Sequence, residues 1–249
     1  MYERPRTLEE ALRLLDEGGV PLAGGLFLLR EKPQARLVDL RDLPLSTLEK
    51  RGNAWVLGAT ATLQQVVEDE ALPDFLRELA RTTLPHPQRA QATVAGALVA
   101  ADGASLWAAG LMALDARLAL HRWQEEPREV PLGDWLPLRH EWHPGWLITQ
   151  VRLPLAPRLC WETVRRSPAD RPLLLAAVAR WPRGRTRVVL GGWGDAPHLA
   201  LDGPTPEGAE IAARNAAHDA EDHLASAEYR RKVAPVLVRR CLARLEAEA

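Results

Sequence analysis

Cysteine is scarce in this 249-residue chain: Cys160 and Cys241 are its two thiols, far apart and outside any CxxC spacing. Two thiolates cannot hold an iron–sulfur cluster or complete a tetrahedral zinc site, so both read as reduced, packed side chains. Any redox role therefore needs an organic cofactor. Net charge is nearly absent too, since 32 Lys and Arg stand against 33 Asp and Glu and leave −1. That excludes the basic footprint of a nucleic-acid or anionic-membrane binder. No apolar run reaches the roughly 20 residues of a membrane span, and Met1-Tyr2-Glu3-Arg4-Pro5 leads into a polar helix start rather than a signal peptide, which predicts a cytoplasmic protein. A GxSxG nucleophile elbow is missing, so a serine hydrolase of that type is excluded. Phenylalanine and tyrosine occur twice each, yet tryptophan occurs nine times. Trp135, Trp142 and Trp146 crowd together, where indole rings line a pocket or a partner surface if they are not simply core.

What is present begins with an apolar stretch, Val20 to Leu29, interrupted by Gly24-Gly25. A glycine pair after a strand lets backbone N–H groups turn toward a ligand, which is how a loop holds a diphosphate without side chains. A plain tight turn is the competing reading. A second glycine-bearing run, Ala92 to Leu98, follows about seventy residues on. Before the first loop, Thr7-Leu8-Glu9-Glu10 forms a capping box, with Leu8, Ala11, Leu12 and Leu15 as the apolar stripe of a helix ending at Gly18-Gly19. Strands are predicted at Val20–Ala23 and Arg36–Leu40, a helix-plus-parallel-strand unit with the glycine loop at the carboxyl end of its strand, where open α/β sheets place ligands.

A second unit starts with a strand at 55–60 and a capping box at Thr62-Leu63-Gln64-Gln65. It continues with a helix from about 74 to 80, a proline-broken loop at 84–87, a helix near 105–114, and strands at 116–121 and 146–153. Its turn-separated strands predict an antiparallel or mixed sheet. Beyond Pro154 come three strand-like runs, 160–165, 173–181 and 186–192, then helices near 206–220 and 226–248, an α+β layer arrangement. His140-Glu141-Trp142-His143 lacks a third ligand and reads as a solvent-facing pair rather than a metal site. His218/Asp222 and Asp219/His223 read as solvated i,i+4 ion pairs on a helix end. Ser226 reads as an N-cap, and Gly191-Gly192-Trp193-Gly194 as a turn.

Taken in order, these segments resemble the FAD-binding subunit or domain of molybdenum hydroxylases such as xanthine dehydrogenase and aerobic carbon monoxide dehydrogenase. The resemblance rests on 7–12, Leu22-Ala23-Gly24-Gly25, 37–40, 57–63, 88–97, 111–116, 145–154 and Ser226-Ala227-Glu228-Tyr229-Arg230-Arg231. It implies an α+β fold with a two-subdomain α/β FAD-binding module of the PCMH type over 1–155 (subdomains about 1–53 and 54–155). A small C-terminal α+β domain over 156–249, a three-stranded antiparallel sheet with helices, would follow. It implies FAD held by Leu22, Ala23, Gly24, Gly25, Leu26, Phe27, Leu28, Thr93, Gly96, Ala97 and Ile148, with no metal site in this chain. The implied partners are a molybdopterin-containing large subunit and a [2Fe-2S] small subunit, whose electrons the flavin passes to an acceptor. Tyr229-Arg230-Arg231 is expected to hold the C-terminal helix against the N-terminal module.

The chain also departs from the family. Leu26 and Phe27 stand where the family has a small polar pair, and Ala95-Gly96-Ala97 where it has two glycines and an asparagine. Leu106 replaces an aspartate of the ribose region, with Asp102 four residues earlier, and Trp161-Glu162-Thr163 lies where a flavin-facing lysine is expected. These losses open a second reading, a flavin-free structural or assembly paralogue on the same fold.

Overall fold

A computed structural model describes residues 2–28, 36–142, 144–167 and 170–247; Met1, Leu29 and His143, named above, and the end of the helix expected to reach 248 lie outside them. The chain divides into two compact units, Met1–Ala100 with Ala116–Leu153, and Ala101–Asp115 with Pro154–Ala249.

The first unit opens with β1 (Tyr2–Glu3), α1 (Leu8–Asp16), β2 (Val20–Leu22) and β3 (Leu37–Asp39). The strands form a sheet in the order β1-β3-β2, and both pairings are parallel. Thr7 caps α1 by accepting the Glu10 amide at 3.2 Å, while the Glu10 carboxylate takes the Arg6 amide at 3.0 Å. The expected capping box is thus half made. Ala11, Leu12, Leu14 and Leu15 turn inward and pack with Val38, Leu40, Leu43 and Leu45, the face that the 3.6-residue period dictates. β1 was not foreseen; two residues are too short for a pattern, and the Tyr2 hydroxyl bond to Asp39 helps hold it.

A second subdomain contains β4 (Leu48–Arg51), β5 (Ala54–Gly58), α2 (Leu63–Glu68), α3 (Asp74–Thr83), α4 (His86–Arg89) and α5 (Val94–Val99). It resumes after Ala116 with β6 (Arg117–His121), β7 (Arg128–Pro131), a one-turn helix at Leu132–Trp135, and β8 (Leu147–Pro154). Sheet order is β4-β5-β8-β6-β7, and the pairs β4/β5, β6/β7 and β6/β8 are antiparallel. Thr62 and Gln65 complete a reciprocal capping box on α2. The stretch expected as a proline-broken loop turns helical at α4, because proline in a first turn gives up an N–H that has no intrahelical partner there. The second glycine run is a helix start: Thr93 is the N-cap of α5.

The second unit consists of α6 (Leu106–Ala113), β9 (Arg158–Val164), β10 (Leu174–Arg180), β11 (Thr186–Gly191), β12 (His198–Gly203), α7 (Ala209–Ala216) and α8 (Ala227–Ala247). Its antiparallel sheet runs β12-β11-β10-β9, so it has a fourth strand where three were expected. β12 is an edge with half its residues exposed and a register shift opposite Val188/Val189, which blurs the alternation that sequence reading relies on. Leu174, Ala176 and Val178 of β10 pack with Ala234, Leu237, Val238 and Cys241 of α8. β10 is buried from Leu174 to Ala179 whichever way the side chain points, so its other face needs a cover, and α6 packs on β10 and β11. Every residue of α6 is buried. The expected boundary near 155 left 106–113 in the first module; a helix apolar all round must be enclosed, and here it lies in the unit of β10.

Cys160 and Cys241 are both free and buried. Arg230 is fully buried and donates to the carbonyls of Leu173 (2.8 Å), Ala220 (2.8 Å), Ala225 (3.2 Å) and Gly192 (3.3 Å) and to Asp222 (2.9 Å). Its bonds knit the second unit together rather than reaching the first, as the motif had suggested. The predicted His218/Asp222 and Asp219/His223 pairs do not form as i,i+4 contacts, because α7 stops at Ala216; Asp222 instead bonds Arg230 and the amides of Leu224 and Ala225. Ser226 does cap α8, accepting the Tyr229 amide at 3.3 Å. No helix among the described residues is long and apolar enough to cross a membrane.

Candidate functional site in the first unit

A cavity of about 500 Å³ opens in the first unit, within the range of pockets that take drug-sized ligands. One wall is the loop that follows β2. Leu22, Ala23, Gly24, Gly25, Leu26, Phe27 and Leu28 all line it, as do Thr93 and Gly96 at the start of α5 and Ile148 on β8. Ala97 does not; it lies on the buried side of α5, and its amide donates to the Thr93 carbonyl at 2.9 Å. Leu106, on α6 of the second unit, is also absent from the lining.

The two glycines of the first loop are required for different reasons. Gly25 has φ +75°, a left-handed conformation that side chains resist. Gly24 has no room for a Cβ, which would lie 2.7 Å from the carbonyl carbon of Gln91 and overlap its oxygen. The loop after β2 is therefore pressed against the chain just before α5. Among the described residues, the amides of Ala23, Gly24, Gly25, Leu26 and Phe27 donate to no protein acceptor. Five consecutive unpartnered amides at a cavity wall are what an anion-binding nest offers, so apolar side chains at 26 and 27 do not abolish it.

The second run behaves differently. The Val94 amide donates to Ala61 O (2.8 Å), Ala95 to Ala59 O (3.0 Å) and Gly96 to Thr93 Oγ1 (3.1 Å). With Ala97 also bonded, the first turn of α5 has no amide from 94 to 97 left for a ligand. Of the two glycine-bearing runs, only the first presents a row of amides without a protein acceptor among the described residues.

The electrostatics favour an anion. Among the described residues no Asp or Glu lines the cavity, whereas Arg139 does, with one guanidinium nitrogen donating to Leu136 O at 2.8 Å. Thr60, which the sequence reading passed over, also lines it. Trp135, Trp142 and Trp146 reach the lining too, so their clustering in sequence marks a cavity wall as well as packing. Trp142 and Trp146 meet edge to face with centroids 5.8 Å apart, and the Arg128 guanidinium lies 4.6 Å from the Trp146 ring centre.

Among the described residues no group of three or more His, Cys, Asp or Glu converges. His140 lines the cavity and is exposed. The remaining singled-out positions are structural: Glu162 pairs with Arg244 at 2.9 Å, Asp102 pairs with Arg171 at 2.7 Å, and Gly192 and Gly194 take positive φ in a turn.

A dinucleotide fits this arrangement in part. The amide nest suits a diphosphate, the indoles suit a flat heterocycle, and the first turn of α5 contributes apolar surface rather than hydrogen bonds.

Comparison with known proteins agrees with the geometry. Residues 1–156 match the family model described as the FAD binding domain in molybdopterin dehydrogenase. The carbon monoxide dehydrogenase medium chain of Afipia carboxidovorans is 28% identical, with all of this chain and 97% of that protein aligned. A solved structure of reconstituted CO dehydrogenase from Oligotropha carboxidovorans superposes with a TM-score of 0.85 at 26% identity, covering 100% of this chain and 98% of that one. Quinoline 2-oxidoreductase from Pseudomonas putida 86 shares the fold at 20% identity and a TM-score of 0.79, covering 98% and 95%. This chain belongs to the family of FAD-binding domains of molybdopterin dehydrogenases.

Proposed function

We propose that the chain binds FAD with its diphosphate on the Ala23–Phe27 loop and serves as the electron-transfer subunit of a molybdenum hydroxylase-type dehydrogenase. The observation that carries the reading is the run of five amides with no acceptor among the described residues, beside a cavity whose described lining holds an arginine and no carboxylate. Gly24, Gly25, Leu26 and Phe27 would hold the diphosphate through backbone N–H groups, with Arg139 supplying charge. Leu22, Leu28 and Ile148 would exclude water, and Thr93 would hold the α5 start in place through its cap on Gly96. Bound there, FAD would supply the redox chemistry, taking up electrons and releasing them to an acceptor. The proposed partners are a molybdopterin-containing large subunit and a [2Fe-2S] small subunit, acting in the cytoplasm; the two buried thiols of this chain hold no cluster.

One observation favours a second reading, a flavin-free paralogue: the amides of 94–97 are all engaged within the protein. The absorption spectrum of the purified protein, followed by calorimetric titration with FAD, decides between them. Absorbance near 450 nm, or uptake of FAD by colourless protein, supports the flavoprotein. Colourless protein that takes up none supports the paralogue.

A further inference from the structure

We propose that Cys160 and Cys241 are a paired modification site, which a peroxide oxidises to a disulfide that staples α8 to β9 within the second unit. The inference stands on that unit alone and does not depend on FAD. Side chains two apart share a strand face, so Cys160, Glu162 and Val164 of β9 point the same way. Residues three and four apart share a helix face, so Cys241, Arg244 and Leu245 of α8 do too. The two faces meet: Arg244 pairs with Glu162 at 2.9 Å, and Cys160, Cys241 and Leu245 belong to one buried core cluster with Val164 against it. The strand ladder sets how near the sulfurs come. The Cys241 thiol donates to Ala176 O at 4.0 Å, and Ala176 is paired with Glu162, while Cys160 is paired with Val178, two residues along the same strand. The two thiols accordingly hydrogen-bond to each other.

Touching sulfurs on facing elements are the arrangement that a disulfide requires, because thiols that point apart cannot be bridged without backbone movement. Cys160 keeps 5% of its surface exposed and Cys241 none, so Cys160 meets the oxidant and Cys241 resolves. The Cys160 sulfur attacks one peroxide oxygen, becomes a sulfenic acid and releases one water. The Cys241 sulfur then attacks that sulfur, which forms the S–S bond and expels a second water. Two S–H bonds and the peroxide O–O bond break, the sulfurs give up two electrons, and the peroxide is reduced to water. Burial selects the oxidant: a small neutral peroxide enters where a bulky disulfide or a charged reagent is shut out. The neighbouring thiol also captures the sulfenic acid before a second peroxide can. The product closes a loop of about 80 residues, long enough for a cross-link to remove much of the freedom of the unfolded chain.

The test treats the reduced, folded full chain with hydrogen peroxide, removes the peroxide with catalase, and only then denatures the protein in the presence of an alkylating reagent for mass spectrometry. The expected result is a chain lighter by two hydrogens that takes up no alkyl group, with the Cys160 and Cys241 peptides joined to each other. Its melting temperature should rise by roughly 4 to 16 °C, and a phosphine reductant applied after unfolding should restore both thiols. Cys160→Ser and Cys241→Ser should each abolish the cross-link and the peroxide-dependent rise in melting temperature. Should either variant melt early, the wild-type peptide map decides alone. Two alkylated cysteines after peroxide treatment overturn the proposal. So do sulfinic acids without a cross-link, a disulfide between two chains in place of the internal one, or a cross-link that lowers the melting temperature.

Discussion

Replacing Gly24 by alanine tests the close approach of the two segments that flank the cavity. The added methyl would sit 2.7 Å from the carbonyl carbon of Gln91 and overlap its oxygen. Carbon atoms prefer separations of about 3.5 to 4.0 Å, so the two backbones must part by about 1 Å to clear the carbon, and further to clear the oxygen. Neither contact is the far end of a flexible side chain, so nothing can swing away cheaply. Overpacking of this kind costs about 1 to 3 kcal/mol, which lowers the melting temperature by roughly 2 to 12 °C in a chain of this size. The same displacement carries the amides of 23–27 off their target. Losing two hydrogen bonds to a charged diphosphate, at about 1.5 to 3 kcal/mol each, weakens FAD by about 10² to 10⁴-fold. Differential scanning fluorimetry and calorimetric FAD titration measure the two effects. Gly52→Ala is the control for a glycine of positive φ with open space around it, and it should leave FAD binding unchanged. A Gly24→Ala protein with wild-type melting and wild-type FAD affinity would refute the reasoning.

Three further outcomes follow from the structure. Arg230→Met should cost about 3 to 5 kcal/mol in urea unfolding, because it strips a buried cation from four carbonyls and from Asp222; a loss under 1 kcal/mol would contradict the hub assigned to Arg230. Burial holds both His121 and His198 below the usual histidine value. The unfolded chain therefore takes up protons first, and stability should fall as pH drops through about 6.5 toward the lower folded values. A His121→Gln, His198→Gln double variant should flatten that step in a series of melting curves, and an unchanged step would refute the assignment. Hydrogen bonding with Cys160 and burial push the Cys241 thiol upward, so a thiol reagent at neutral pH should label neither cysteine in the native protein and both after denaturation. Rapid labelling of the native protein would show that the α8–sheet interface is open.

The first loop was legible in the sequence because its chemistry is local: a strand, two glycines and apolar flanks state a turn that exposes amides, and Leu22 through Leu28 do line the cavity. The second loop misled for the same reason. Glycine at 96 suggests freedom, but its amide is taken by the Thr93 hydroxyl three residues earlier and its neighbours by Ala59 and Ala61, partners some 35 residues away that no local pattern reveals. Long elements such as α1, α8 and β10 announced themselves through periodicity and buried runs. The short edge strands β1, β4, β7 and β12 did not, since a few half-exposed residues carry little pattern. α6 shows a third kind of miss. Its apolar character was readable, but the unit that it joins depends on which sheet face lacks a cover, and that is a property of β10 and β11. Arg230 is a charged side chain that composition would place at the surface, yet its five oxygen partners from three separate segments bury it completely.

Amide hydrogen exchange with and without FAD tests most directly the claim that backbone N–H groups of a single loop hold the cofactor's diphosphate. Ala23 to Phe27 should exchange freely in the cofactor-free protein and become protected when FAD is added, while Val94 to Ala97 should be protected in both states. FAD that binds without slowing exchange anywhere between Ala23 and Phe27 would contradict the account.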